Sequence, residues 1–183
     1  DVTVTANSIA GAGVDQVIGT TETAILNGSL TGDATGAVWS TSGTGTFQPD
    51  NTTLNATYVP SPADVIAGSV TLTLTPVGGS CSNTAQVTVT VYPNPEFSIT
   101  STDDLLCFDA PNNTATLTAA PTGASIYTYE WTPTLSILGS TNSATVDIDP
   151  TTDEVFEVVA SEDFGSLVCS TTEDIAIEVN PPI

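Results

Sequence analysis

The sequence contains no lysine, arginine or histidine against 21 aspartates and glutamates, which sets a formal net charge of −21. That absence excludes whole classes of function. With no basic side chain to neutralise a phosphate, nucleic acid and an anionic membrane surface are excluded as direct partners. No carboxylate can form an intrachain salt bridge with a basic side chain, and trypsin finds no Lys or Arg at which to cut, which suits an exposed surface protein. Catalysis has little to work with: there is no His to act as a base near neutral pH, no Lys or Arg to hold an oxyanion, and no Gly-rich loop between strand and helix. Paired carboxylates could run glycoside hydrolysis in principle, but no residue is assigned a catalytic role, and the protein is expected not to be an enzyme.

Long apolar runs are also missing. No stretch of 18 apolar residues and no basic segment followed by a hydrophobic core is present, so neither a membrane span nor a signal peptide is expected within this segment. Cysteine is sparse: Cys81, Cys107 and Cys169 lie outside any CxxC spacing, which argues against a zinc or redox site and for an exported chain with one disulfide and one spare thiol. Apolar residues make up 39 % and aromatics 6 %, low but adequate for small β domains, and the alternating Val, Leu and Ile runs separate this chain from a disordered acidic one.

What is present is a repeat. The segment Val91-Tyr92-Pro93-Asn94-Pro95-Glu96 punctuates the middle of the chain, and Val179-Asn180-Pro181-Pro182 repeats the punctuation near its end. Pro93 and Pro181 are 88 residues apart, as are Cys81 and Cys169, and Trp39 and Trp131 are 92 apart. Two diverged copies on one plan, residues 1–93 and 94–183, account for this order. Strands are predicted at 2–6, 14–18, 23–27, 37–41, 54–59, 69–76 and 85–92, then at 96–100, 115–120, 127–132, 144–149, 155–160 and 175–179. Val70, Leu72 and Leu74 alternate with Thr71, Thr73 and Thr75, and Val87, Val89 and Val91 with Thr88 and Thr90, the period of two of a half-buried strand. Ser61-Pro62 through Gly68 carries the start and stop of one helical turn. The fold expected is all-β: two tandem Greek-key β-sandwich domains of immunoglobulin-like type, joined by a short Pro-containing linker.

The string Gly43-Thr44-Gly45-Thr46-Phe47-Gln48-Pro49, followed by Asn51-Thr52-Thr53-Leu54-Asn55-Ala56-Thr57-Tyr58-Val59-Pro60, resembles the Ig-like/PKD-like repeats of giant gliding-motility surface adhesins of Bacteroidetes. The resemblance covers most of the first module. In the second it rests on Tyr129-Glu130-Trp131-Thr132-Pro133 and a Cys in the last hairpin, and the WDFGDG-like core of ordinary PKD domains is absent. It implies an exported, cell-surface, multi-repeat filament delivered by a type IX secretion route, with no catalytic residues. It further implies a disulfide between Cys107 and Cys169, with free thiols as the alternative, and leaves Cys81 as the free thiol.

Of the 21 carboxylates, 6 lie in residues 1–93 and 15 in 94–183. Glu130, Asp147, Glu157 and Glu178 fall on outward strand positions and read as solvated faces. Loop clusters are more suggestive of a Ca²⁺ site: Asp103 and Asp104 with Asp109 first, then Asp149 with Asp153 and Glu154, and Glu162 with Asp163. No EF-hand or nonapeptide spacing supports them, and no cofactor is required. Crowded like charges predict raised carboxyl pKa values in the fold. Trp39 and Trp131 are expected in the cores; Tyr58, Tyr127 and Phe164 are the candidates for exposed rings. The partners expected are neighbouring repeats of the same polypeptide, external surfaces or polysaccharides, and divalent cations, without membrane insertion. Two functions compete: an adhesive filament segment, and a carbohydrate-binding or accessory module of a secreted glycan-active enzyme.

Overall fold

A computed structural model describes residues 7–79, 82–108 and 113–180. The chain divides into two compact units, Asp1–Pro93 and Asn94–Ile183.

The first unit runs β1 (Ser8–Gly11), β2 (Gln16–Gly19), β3 (Ala24–Ile25), β4 (Ser29–Thr31), β5 (Gly36–Thr41), β6 (Thr46–Gln48), β7 (Thr57–Val59), α1 (Pro62–Ala67), β8 (Ser69–Val77), β9 (Ser82–Asn83) and β10 (Ala85–Tyr92). One layer has the order β2-β10-β8-β5. The other is built from β4-β1-β9 and β3-β7-β6. Bonds from Leu26 N to Ala56 O and from Gly28 N to Leu54 O carry the β3–β7 pairing on towards β4, so β3 and β4 act as two stretches of one strand. The alternation read from sequence places Val70, Leu72, Leu74, Val87, Val89 and Val91 inward, around Trp39, Tyr58 and Leu26. The threonines between them face outward and keep β propensity on the wet side.

The second unit repeats the plan with β11 (Phe97–Ser101), β12 (Leu105–Cys107), β13 (Ala115–Pro121), β14 (Thr128–Thr132), β15 (Ile137–Leu138), β16 (Thr145–Ile148), β17 (Glu154–Asp163) and β18 (Val168–Asn180). Its layers are β11-β13-β16-β15 and β12-β18-β17-β14. Trp131, Phe156, Leu117, Ile148 and Ile177 fill its core. In both units the layer that holds the last strand also holds an early strand paired parallel with it, β2 with β10 and β12 with β18. Every other pairing in those two layers is antiparallel. These are two tandem Ig-like β-sandwich domains with a Greek-key plan.

Each tryptophan pins its sandwich in the same manner. Trp39 donates Nε1–H to Leu54 O (3.1 Å) and its backbone N–H to Asn51 O (2.7 Å). Trp131 donates Nε1–H to Ser143 O (2.9 Å) and its backbone N–H to Thr141 O (2.9 Å). An indole in a core needs a partner for its N–H, and in the two units the loops that follow β6 and β15 supply it.

The crossover between the layers differs. In the first unit it is α1, with Ser61 as N-cap, Asp64 reaching back in a capping box, Pro62 in the first turn and Gly68 left-handed at φ 75°. Val91 N donates to Gly68 O. In the second unit the residue 88 positions on, Val179, donates its N–H instead to the carboxylate of Asp153, at 2.8 Å.

Candidate functional site

Among the described residues, the carboxylates singled out from the sequence do not gather into one site. Asp103 and Asp104 lie exposed in the turn between β11 and β12, and Asp109 lies outside the described residues. Among the described residues no group of three carboxylates or thiols gathers where it could hold a metal ion. The backbone of this turn is engaged instead: Ser101 Oγ bonds Asp103 O, and Glu178 N donates to Asp104 O. Of the other loop acids, Asp153 caps Val179 N and Asp163 caps Gly165 N.

The Cys107–Cys169 disulfide is corrected by strand register. Cys107 pairs with Asn180 at one end of β18, whereas Cys169 pairs with Glu162 at the other end, eleven residues away. At about 3.3 Å per residue that is roughly 36 Å, against a limit of about 7 Å between bonded Cα atoms. Cys107 is exposed with no disulfide, Cys169 is buried, and Cys81 lies outside the described residues.

The three candidate exposed rings are likewise not a strip. Tyr58 is 0 % exposed and belongs to the first core, packed against Phe47 with ring centroids 5.2 Å apart. Tyr127 is half-buried against Tyr129, and Phe164 is half-buried in the β17–β18 turn. Trp39 and Trp131 are core residues, as expected.

One polar cluster is built into the fold, and sequence reasoning did not foresee it. Asp64 is 2 % exposed, yet its carboxylate is fully engaged. Thr44 N donates to Oδ1 (2.9 Å), while Ser61 N (2.9 Å) and the Tyr58 hydroxyl (2.8 Å) donate to Oδ2. With its own proton committed to Asp64, the Tyr58 oxygen accepts from Thr41 Oγ1 (2.9 Å) and Gly45 N (3.2 Å). The cluster explains two glycines: a Cβ on Gly43 would collide with the Asp64 carboxylate, and one on Gly45 with Val59 O and the Tyr58 ring and hydroxyl. The signal in the sequence was the capping box, since Asp at the third helical position after a Ser cap is half of the arrangement.

Two carboxyls of the first unit are held low by local donors. Burial pushes the Asp64 carboxyl up, but the donors from Ser61, Thr44 and Tyr58 outweigh it and hold the group below the ordinary carboxylate value. Exposed Asp50 is also lowered, by the hydroxyls and amides of Thr52 and Thr53. Burial, with Asp64 beside it, raises the Tyr58 phenol. Local donors aimed at a carboxylate decide its pKa before the distant net charge does.

The chain is thus a pair of Ig-like sandwiches whose best-formed polar cluster serves the fold. No protein-family model and no curated protein matches the sequence. Solved structures do match. The eight N-terminal Ig domains of Down Syndrome Cell Adhesion Molecule align over 96 % of this chain and 24 % of that one, with a TM-score of 0.57 at 14 % identity. Extracellular domains 3–5 of Drosophila OTK align over 91 % of this chain and 59 % of that one, at TM-score 0.50 and 14 % identity. The SusE-like surface-located polysaccharide-binding protein BT4661 of Bacteroides thetaiotaomicron aligns over 96 % of this chain and 34 % of that one, at TM-score 0.43 and 15 % identity. At these identities the likeness establishes the Ig-like fold alone. Among the described residues no helix is long and apolar enough to cross a membrane.

Proposed function

We propose that this chain is a load-bearing structural and adhesive segment of a long extracellular filament, held at the cell surface and used in attachment and gliding. The observation that carries this reading is the parallel pairing of β2 with β10 and of β12 with β18. In each unit a strand near the chain's entry lies hydrogen-bonded beside the strand by which the chain leaves, both pointing the same way. Tension that draws these two strands apart along their length slides one past the other, so the rungs Gln16 to Gly19 on Val89 to Tyr92 must fail together. The same holds for Leu105 to Cys107 on Glu178 to Asn180. A ladder loaded in this direction resists far more than one opened rung by rung, since each bond contributes only about 1 kcal/mol net.

The adhesin-like string at Gly43 to Pro60 supports the filament, and the acidic surface without Lys or Arg suits exposure to proteases. In such a filament, weak contacts repeated over many modules supply grip through effective concentration. Polysaccharides and other external surfaces are the partners this reading favours.

Stretching the full chain between handles in a single-molecule instrument tests the proposal. Two cooperative unfolding events, each weakened by a proline in its parallel ladder (Val17→Pro or Leu106→Pro), are expected. Unfolding at a force unaffected by either proline would overturn the load-bearing reading, and saturable binding of this pair to one glycan on an array would favour a carbohydrate-binding module instead.

A further inference from the structure

We propose that the Asp64–Tyr58 cluster is an acid-released latch, which when ionised clamps the β5–β6 turn, β7 and α1 together and when protonated frees the turn and the helix while both sheets remain paired. The clamp joins three segments, Thr44 from the turn, Tyr58 from β7 and Ser61 at the head of α1, beside a direct Thr44–Ser61 hydroxyl bond of 2.6 Å. A carboxylate only accepts, and here it meets donors alone. The Tyr58 hydroxyl can turn to accept a proton placed on Oδ2, but loss of the charge weakens the bonds from the Thr44 and Ser61 amides, which cannot reverse, so the hold on the turn and the helix loosens.

No other charge compensates. Of the elements packed around Asp64, the β5–β6 segment contributes Thr41, Gly43, Thr44 and Gly45, α1 contributes Ser61 and its own backbone, and β8 contributes Val70. The sequence of β5, β6, β7, α1, β8 and β10 holds no ionisable residue besides Tyr58, Asp64 and Tyr92. Tyr92 ends β10 on the ladder with Gly19. Because the carboxyl is held below its usual range by those donors, the stabilisation is complete above the unfolded-state value near ~4 and is lost as the pH falls through the lower folded one. The sheets survive the release, since the ladders β2-β10-β8-β5 are set by backbone pairing and by the Val and Leu face. Among the described residues of the second unit the crossover is tied differently, by Asp153 to Val179 N, and Asp153 is exposed.

Amide hydrogen exchange on the full chain, read as protection factors from pH 7 down to pH 2.5, decides it. Protection at Thr44, Gly45 and Gly68 is expected to fall about ten-fold or more through the acid step, while Val89 and Val158 stay protected. Asp64→Asn should show the released level already at pH 7, with no further acid step. Tyr58→Phe removes one donor, keeps the carboxylate, and should move the step to higher pH. An acid step that survives in Asp64→Asn, a Tyr58→Phe step that is unmoved or shifted lower, or simultaneous loss of protection at Val89 would each overturn the latch.

Discussion

Replacing Trp131 by Phe isolates what the indole contributes to the second unit, and the matching change at Trp39 sets its scale. Trp131 is 0 % exposed and donates Nε1–H to Ser143 O. Phe keeps an aromatic ring in the core but removes that donor and part of the ring volume. Ser143 is exposed, so its carbonyl can turn to water and the lost bond costs only about 0.5–1.5 kcal/mol net. The unfilled volume adds about 1–2 kcal/mol, for a total of roughly 2–3 kcal/mol out of the ~5–15 kcal/mol typical of a domain. For a unit of this size each kcal/mol lowers Tm by about 4–8 °C, so the second unit should melt roughly 10–20 °C earlier. Trp39→Phe should cost the first unit a similar amount, about 2–3 kcal/mol, because the Leu54 carbonyl keeps its bond from Gly28 N when the indole N–H is lost. With one tryptophan in each unit, the assay is direct: in Trp131→Phe the remaining fluorescence reports the first unit alone, while circular dichroism reports both. A Trp131→Phe chain whose fluorescence transition in urea moves with its dichroism transition, or whose second transition moves by less than about 0.5 kcal/mol, would refute the anchor argument.

Gly43→Ala forces a Cβ onto the Asp64 carboxylate and Val70, and should destabilise the first unit by about 1–3 kcal/mol, whereas Gly36→Ala, with open space around its Cα, should be near neutral in the same thermal melt. Native-state thiol labelling should modify Cys107 without reduction, and Cys107→Ser should leave Tm within about 1 °C; a labelling-resistant Cys107 would contradict the register. Glu157 and Asp174 oppose each other directly across β17 and β18, so Asp174→Lys should stabilise the second unit by about 0.5 kcal/mol at low salt, and less at high salt. Sodium chloride should raise the melting temperature through screening alone, and calcium should act as a general counter-ion; a saturable calcium isotherm abolished by Asp104→Asn would show instead that Asp109 completes a ligand set with Asp103 and Asp104.

The long strands were legible because their signal is local. Alternation in β8 and β10 marks inward faces without reference to any partner, and the Ser-Pro start and Gly stop of α1 are chemistry within eight residues. What stayed hidden depends on neighbours. β6, β12 and β15 are two or three residues long and owe their conformation to the strand beside them. The β17–β18 hairpin runs on from Ala160 to Asp163 and back from Val168, through Ser, Thr and acidic residues that carry no apolar period. Tyr58 could not be assigned from its own surroundings: the groups that satisfy its buried hydroxyl, Asp64, Thr41 and Gly45, all come from other segments.

The residues that carry the adhesin-like resemblance turn out to be those that hold the first sandwich together. Gly43 and Gly45 clear space for the cluster, Thr44 donates to Asp64, and Phe47 packs between Trp39 and Tyr58. Asn51 bonds the Trp39 backbone through its side chain, and Leu54 accepts the indole N–H. A string with so many residues committed to packing transmits a fold from repeat to repeat, and leaves contact with the outside to positions it does not constrain, such as the outward threonines of β8 and β10 and the carboxylates of the second unit. It follows that resemblance in this string argues for a shared, mechanically sound brick and says little about a shared ligand. On the adhesive reading proposed above, exchanging Thr71, Thr73 and Thr75 for Val should therefore alter surface attachment while leaving the melting temperature of the first unit nearly unchanged, and a chain that loses stability without losing attachment would reverse that division of labour.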